Sequence, residues 1–409
     1  MKNKLLLILS TLSVANAFAL EVKTDGPIKL EVKGGLDFQY IVYKDHPEKD
    51  SLGIARSGRD DMFYTSGHAE LRAFNKLSDS MEYGVQVALE VTSRNARKAA
   101  SSIFFISEVG KMEFGSNKSA YGDMSIAGNS MLVATKGAWD AFATLAPDQP
   151  TLFISSTANY LDAKTRLSDH VEYSRKLSYY TPWIGDHIML GVSYIPDSQN
   201  AGITSIKDFI PHTPGVTGIP VQISKAWAGA LALKFDNEVF KFKTVLAIET
   251  GKVAVKNEKG ENALPTGYLP SAGDLERLHA YTIGAQMEWG NFGFAASYGN
   301  YGHSLLPKVY KGEVDASSVY SASIKYTPVS NLSLAVGGIA SKHTDNHLRA
   351  VTLSGEYALQ PGIKPYAEVT QFHTKAKNYV GADGMLVSYG QEEYKRHGFV
   401  GIVGIKMEF

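Results

Sequence analysis

The sequence predicts an all-β fold, a 16-stranded antiparallel transmembrane β-barrel with an inward-folded third loop. Three observations lead to this fold class. Apolar and polar residues alternate with a period of two along most of the chain, short turns alternate with long polar links, and the last strand stays apolar on one face up to Phe409. A terminal strand in water has nothing to bury such a face against, whereas a strand that faces lipid does.

Residues 1–19, MKNKLLLILSTLSVANAFA, have the layout of a cleaved signal peptide. Two lysines precede an apolar run that is too short to span a bilayer, and the small residues Ala17 and Ala19 follow it. We predict cleavage after Ala19, with Ala17 as the alternative. Residues 20–409 then form the barrel domain of an exported protein.

The composition excludes several classes of protein. Basic and acidic residues balance at 41 each, so the chain lacks the positive excess that nucleic-acid binding requires. Cysteine is absent, so no disulfide stabilises the fold. Hydrophobic residues make up 44%, yet no run after the signal approaches the roughly 18 apolar residues of a membrane helix. A closed barrel is the membrane fold that remains.

The alternation is clear in two stretches. EYGVQVALEVT, residues 82–92, places tyrosine, valines and leucine on one face and small or polar residues on the other. AWAGALALKF, residues 226–235, places aromatic and aliphatic residues opposite alanines and a lysine. About sixteen segments of this kind follow one another, centred near residues 36, 69, 87, 103, 113, 170, 191, 230, 245, 283, 297, 322, 336, 353, 368 and 403.

The links between these segments differ in length. FDNEVF, WGNFGF, TPVSNL and LQPGIK are turns, whereas residues 45–62, 197–223, 252–276 and 375–396 are long and polar. Short turns at one rim and long loops at the other are typical of outer-membrane barrels. The longest link, residues 117–164, contains the apolar stretch SMLVATKGAWDAFATLA, so we expect it to fold inward, pack on the wall and narrow the lumen.

Three stretches occur in a telling order and spacing, and a terminal phenylalanine follows them: HAELRAFNKLSDSMEYGVQVALE, VGKMEFGSNKSAYGDM and RLSDHVEYSRKLSYYTPWIGDHIMLGVSY. In these features, and over nearly its whole mature length, the chain resembles the general diffusion porins of Gram-negative bacteria. The resemblance implies a trimeric barrel in the outer membrane, surrounded by lipid, whose water-filled channel lets small hydrophilic solutes and ions diffuse passively. It implies no cofactor and no metal.

The resemblance also implies a pore constriction in which wall cations face acids on the third loop. Arg166 lies seven residues before Tyr173, as the family's wall arginine does before a tyrosine. Lys98, Arg72 and Lys33 complete the predicted wall cations. Each could instead be an ordinary solvated residue that faces water.

The acidic side departs from the family pattern. Asn129, Ser130 and Val133 stand where the family carries loop acids, and only Asp140 and Asp148 remain in the inserted part of the loop. Either could simply lie in a turn. We therefore predict at most weak cation selectivity and leave anion preference open.

Three other functions remain open at this level. The channel could be selective for one class of solute, or the barrel could be structural or adhesive, with no open pore. An enzyme would need a nucleophile beside a base, and the eleven histidines form no such motif. A weak hint supports the implied homotrimer, because KGGLDF, SGHAEL and ASSIFF are rich in small residues that could pack against a neighbour.

Overall fold

A computed structural model describes most of the chain, from Leu20 to Phe409. The described residues are 20–22, 27–47, 61–92, 97–134, 174–197, 221–255, 275–304, 308, 312, 315–343, 345–376, 378–380, 386–388 and 394–409. Residues 1–19, the predicted signal peptide, lie outside them. Within the described residues, no helix is long and apolar enough to cross a membrane.

The described chain is almost entirely β-structure, with one short helix, α1, between β6 and β7. The elements are β1 (Leu20–Val22), β2 (Lys29–Pro47), β3 (Asp61–Ser78), β4 (Met81–Thr92), β5 (Arg97–Ser107), β6 (Gly110–Ser116), α1 (Ala120–Met124), β7 (Arg175–Tyr180), β8 (Ile188–Asp197), β9 (Val221–Asp236), β10 (Phe240–Val255), β11 (Leu278–Trp289), β12 (Phe292–Gly302), β13 (Ser317–Val329), β14 (Leu332–His343), β15 (Asn346–Tyr357), β16 (Ile363–Ala376), β17 (Asn378–Val380), β18 (Leu386–Ser388) and β19 (Tyr394–Glu408).

Sixteen of the described strands, β2 to β16 and β19, form one closed antiparallel barrel. Each pairs with the next along the chain, and β19 pairs with β2 over the register Glu408↔Gly35 to Arg396↔Pro47. At the seam, Phe409 and Gly34 exchange two backbone hydrogen bonds of 2.9 Å. The predicted barrel is therefore confirmed, and Phe409, directly after the end of β19, continues the pairing with β2.

The two faces of the barrel wall carry different side chains, as the alternation predicts. On β9, Trp227 and Phe235 are exposed, while the alternate alanines from Ala226 to Ala232 are buried or nearly so. On β2, Phe38 and Val42 are likewise exposed between less exposed neighbours. We call the face with the exposed large residues the apolar face and the other the polar face. In membrane barrels these faces meet lipid and lumen respectively.

Aromatic residues pair across strands on the apolar face near both rims. Tyr298 and Tyr320 lie 4.6 Å apart between ring centroids toward one rim, and Phe292 and Tyr326 lie 4.8 Å apart toward the other. Such rings favour the boundary between hydrocarbon and headgroups. The apolar band between them therefore spans the hydrocarbon layer.

The links between strands sort by length onto the two rims. At the short-link rim, strands are joined by residues 79–80, 108–109, 181–187, 237–239, 290–291, 330–331 and 358–362. The long-link rim holds the longer intervals, such as 198–220 and 256–277, although residues 93–96 and 344–345 are short there. Fifteen of the sixteen predicted strand centres fall inside described strands. The other, near residue 170, lies outside the described residues, and β7 begins at Arg175.

We expect a charge in the middle of the apolar face to destabilise the barrel. Leu353 is 64% exposed on that face, midway along β15, so Leu353→Arg should cost about 2 to 4 kcal/mol, because the guanidinium would lie at the bilayer midplane. Urea unfolding of the barrel in lipid vesicles measures this cost. Ala340→Arg, on the same face near the long-link rim, should cost only about 0 to 1 kcal/mol. Equal costs would contradict the assignment of the membrane band.

Candidate functional site

The segment that follows β6 packs onto the polar face of the wall. Its helix α1 lies against β7 to β10, and the apolar residues of the helix are buried against the alanines of β9. Ser119 caps the helix, because its hydroxyl accepts a hydrogen bond from the backbone N–H of Gly122 at 3.3 Å. We call residues 117–134, the described part of the third loop, the docked segment.

Three serines of the polar face bind the backbone of the docked segment, and we call them the wall serines. Ser193 on β8 accepts a hydrogen bond from the first N–H of α1 at 2.7 Å. Ser297 on β12 accepts one from the N–H of Gly128 at 2.6 Å. Ser323 on β13 accepts one from the N–H of Met131 at 3.2 Å and donates to the carbonyl of Gly128. Because the partners are backbone groups, these hydrogen bonds do not depend on which side chains the segment carries.

Two glycines allow the docked segment to approach the wall closely. A Cβ atom at Gly284 on β11 would lie 2.1 Å from the carbonyl oxygen of Ile126, and one at Gly128 would lie 2.0 Å from the carbonyl oxygen of Ser321. Backbone atoms cannot move aside as a flexible side chain can. Any larger residue at either glycine would push the segment off the wall.

The far end of the docked segment is held by the last strand. Lys406 on β19 donates a hydrogen bond to the carbonyl of Ala134, and its Nζ lies 5.3 Å from the ring centroid of Tyr366. The Tyr366 hydroxyl donates to Oδ1 of Asp37 on β2 at 2.6 Å. The described contacts of the segment thus begin at β7 and end at β19.

Arg72 lies on the polar face of β3, and two carboxylates balance its charge. Its guanidinium contacts Oε1 of Glu82 on β4, and its Nη1 lies 3.7 Å from Oε2 of Glu31 on β2. The guanidinium also lies 4.8 Å from the ring centroid of Phe74 and 4.6 Å from that of Phe104. Arg72 therefore adds little net positive charge to the lumen. Its role at the constriction stays a prediction.

Lys33 and Lys98 occupy neighbouring levels of the same wall. Lys33 is exposed on the polar face of β2, and its register partner on β3 is Glu70. Lys98 pairs in register with Glu90, which pairs in turn with His68 on β3. The β3 residues at the heights of Lys33 and Lys98 are Glu70 and His68, which lie two positions apart, about 6.6 Å along the strand. The backbone therefore brings these two predicted cations close in height, although the side chain of Lys98 lies outside the described residues.

The remaining predicted site residues, Arg166, Asp140 and Asp148, also lie outside the described residues. Of the predicted constriction, the described residues therefore include only part of the basic wall. Among the described residues, no cluster of three or more histidine, aspartate or glutamate side chains could hold a metal ion.

Sequence reasoning missed the wall serines and the anchor at Lys406. A signal for the serines was available, because SSVYSASIK in β13 places Ser317, Ser321 and Ser323 on one face, opposite Tyr320 and Ile324. That spacing indicates a polar face made of small hydroxyl groups. Nothing in the sequence indicates that these hydroxyls bind the backbone of a loop.

The curated relatives of the chain align with it almost end to end. An uncharacterised protein of Rickettsia typhi is 25% identical over 99% of this chain and 100% of its own length. An uncharacterised protein of Rickettsia prowazekii is 27% identical over 99% of this chain and 100% of its own length.

Solved structures share the fold at low sequence identity. An anion-selective porin from Comamonas acidovorans matches with a TM-score of 0.58 and 14% identity, over 93% of this chain and 100% of that one. OmpT is an outer membrane protein of Vibrio cholerae, and a form of it without loop L8 also matches. The TM-score is 0.54 and the identity 11%, over 94% of this chain and 100% of that one. At these identities the likeness concerns the fold.

The family assignment rests on the sequence itself. The family described as Gram-negative porin matches residues 6–377, most of the chain. The closed barrel, its apolar band and its sorted rims agree with this match, and family and fold point to a channel rather than an enzyme. The chain belongs to the Gram-negative porins and forms an outer-membrane channel for the passive diffusion of small hydrophilic solutes.

Proposed function

We propose that the third loop, residues 117–164, folds into the lumen and sets the size limit of the channel. The observation that supports this proposal is the binding of the docked segment to the wall serines on the polar face. The lumen that remains is bounded by the docked segment and by the wall on its other side. That wall includes β2 and β3, which carry Lys33 and Arg72.

We further propose that Arg166, Lys98, Arg72 and Lys33 form the basic side of the constriction, with Asp140 and Asp148 opposite. The docked segment contains one basic and one acidic residue, Lys118 and Asp123, so it contributes no net charge. With Arg72 balanced by carboxylates, the other three cations outweigh the two loop acids. We infer a weak preference for anions, a property that the similar Comamonas porin carries in its name.

A homotrimer is the proposed assembly. Ala69 and Ala73 on β3 and Gly34 on β2, the register partner of Ala69, carry no large side chain on the apolar face, and exposed Leu71 projects between the two alanines. Small residues of this kind let a neighbouring wall approach closely and suit a protein contact better than a lipid contact. We place the subunit interface on β2 to β5.

We expect loss of the wall-serine hydrogen bonds to widen the channel. The double change Ser297→Ala and Ser323→Ala removes three hydrogen bonds to the docked segment, each worth about 1 kcal/mol. Single-channel conductance in a planar bilayer should rise. Ser354→Ala is the matched control, since this buried polar-face serine makes no hydrogen bond among the described residues. Unchanged conductance in a folded double variant would count against the inward loop.

Removing a wall cation should shift selectivity toward cations. Arg166→Ala and Lys33→Ala should each raise the ratio of cation to anion permeability roughly two- to fivefold, as about 0.5 to 1 kcal/mol per charge implies. Asp140→Asn and Asp148→Asn should lower it. The reversal potential under a salt gradient measures the ratio. Lys252→Ala, exposed on β10 away from the polar face, should leave it unchanged; an equal shift there would show that these wall cations are not the filter.

Bulky residues in place of the alanines on β3 should dissociate the trimer. Ala69→Trp with Ala73→Trp is expected to yield monomers in mild detergent, because two indoles would hold the neighbouring wall away. Light scattering after size exclusion gives the mass. Ala296→Trp, exposed on β12, serves as the control and should remain trimeric. A wild-type protein that is monomeric while its channel conducts would refute the proposal.

A further inference from the structure

Two lysines face each other on the wall that carries the docked segment. Lys234 lies near the end of β9 and Lys243 near the start of β10, and the two are direct cross-strand partners. Both lie on the polar face, next to Ala232 and Val245, which are buried in one cluster with the apolar residues of α1. Because β9 ends and β10 begins at the short-link rim, the two lysines lie between that rim and the docked segment.

The two ammonium groups lie at directly opposed positions of the sheet. Cβ atoms of such partners are about 4.5 to 5.5 Å apart, and like charges there destabilise a sheet. None of the ion pairs among the described residues involves Lys234 or Lys243. An anion that contacted both ammonium groups would therefore offset their repulsion.

The next strand extends the lysine pair into a row of hydrogen-bond donors. Gln286 on β11 is the other cross-strand partner of Lys243 and lies on the same face. We call Lys234, Lys243 and Gln286 the donor row. Neighbouring strands lie about 4.8 Å apart, so the row spans roughly 10 Å. Its side chains offer two ammonium groups and one amide group as donors, and their single acceptor is the amide oxygen of Gln286.

The docked segment and the link between β7 and β8 hold Lys234 in place. Nζ of Lys234 lies 4.2 Å from the ring centroid of Trp183 in that link, and Trp183 packs against the cluster that contains α1. The backbone N–H of Lys234 donates to the carbonyl of His187 at 2.9 Å. Lys234 and Lys243 are both half-buried. Salt screens such charges less than charges on an open rim.

Two acidic residues lie one step closer to the short-link rim and have a lysine of their own. Asp236 and Glu288 are exposed, and both are register partners of Lys241. This level is two residues from the donor row along each strand, about 6.6 Å. It carries two negative charges and one positive charge, whereas the donor row carries two positive charges and no negative one. An anion on this part of the wall is therefore bound best at the donor row.

We propose that the donor row is a binding site for a compact, doubly charged oxyanion of the phosphate type. Its oxygens point in several directions, so one anion can accept hydrogen bonds from both ammonium groups and from the Gln286 amide. Lysine binds phosphate as a point charge, and charge-assisted hydrogen bonds are roughly twice as strong as neutral ones. A singly charged anion such as acetate balances only one of the two lysines.

The site gives an anion a place to stop between the docked segment and the short-link rim. Conduction requires binding that is strong enough to admit an ion and weak enough to release it. We therefore expect a dissociation constant on the order of 1 mM. The donor row lies on β9 to β11, so this inference does not depend on the wall cations proposed above for the constriction.

Block of the single-channel current in a planar bilayer tests the site. With KCl on both sides, inorganic phosphate should reduce the current of the wild-type channel, with half-block on the order of 1 mM, and sulfate should act in the same way. Acetate should need at least a roughly tenfold higher concentration. More KCl should raise the half-blocking concentration of phosphate. The double variant K234Q/K243Q should raise it at least roughly tenfold.

The matched control K76Q/K325Q removes two other lysines of the polar face, neither of which is the cross-strand partner of a lysine. It should change the half-blocking concentration less than roughly twofold. Heat-dependent gel mobility checks folding, and if the double variant does not fold, each single glutamine variant should raise the concentration roughly fivefold. The reversal potential is a separate readout, so the ion preference proposed above can fail while this site stands.

Four results would each overturn the proposal. They are phosphate block of the folded K234Q/K243Q channel within twofold of the wild type, equal block by acetate and phosphate, an equal loss of block in the control, and a wild-type current that phosphate leaves unchanged.

Discussion

The structure depends on one constraint, that every backbone N–H and C=O group inside the bilayer must find a partner within the protein. Sixteen strands satisfy it by pairing around a complete circle, and the seam between β19 and β2 is where the circle closes. The exchange of hydrogen bonds between Phe409 and Gly34 extends this pairing to the last residue of the chain. A side chain at position 34 would meet the Phe409 ring, so glycine leaves that ring its place on the apolar face.

The same constraint governs the docked segment, although it lies outside the sheet. A loop that packs on a wall loses water from its backbone, and each buried N–H then needs another acceptor. The wall serines supply hydroxyl oxygens where α1 begins and where the chain turns at Gly128. Small residues on the polar face therefore have two functions, since alanine and glycine give room and serine gives partners. The positions of these serines, alanines and glycines on the wall thus determine where the docked segment can bind.

The barrel could be predicted from the sequence because one face of each strand meets lipid and the other meets polar surroundings. Successive residues of a strand therefore alternate between apolar and polar or small side chains. The polar-face positions of Lys33 and Arg72 followed from this period-two pattern. The ion pairs of Arg72 did not, because they depend on how β2 and β4 slide against β3, and alternation fixes the face of a residue but not its height. The bond between Ser297 and Gly128 joins residues 169 positions apart. Such a contact leaves no periodic trace in the sequence.

The anchor at Lys406 links the docked segment to the closing strand of the barrel. Lys406 lies in β19, which pairs with β2, and its partner Ala134 lies 272 residues earlier in the chain. Until β19 joins β2, the far end of the docked segment has no lysine to hold it, whereas its contacts with β8, β12 and β13 can already form. A barrel that has not closed therefore lacks the hydrogen bond at Ala134. Closure of the wall and fixing of the far end of the docked segment are one event.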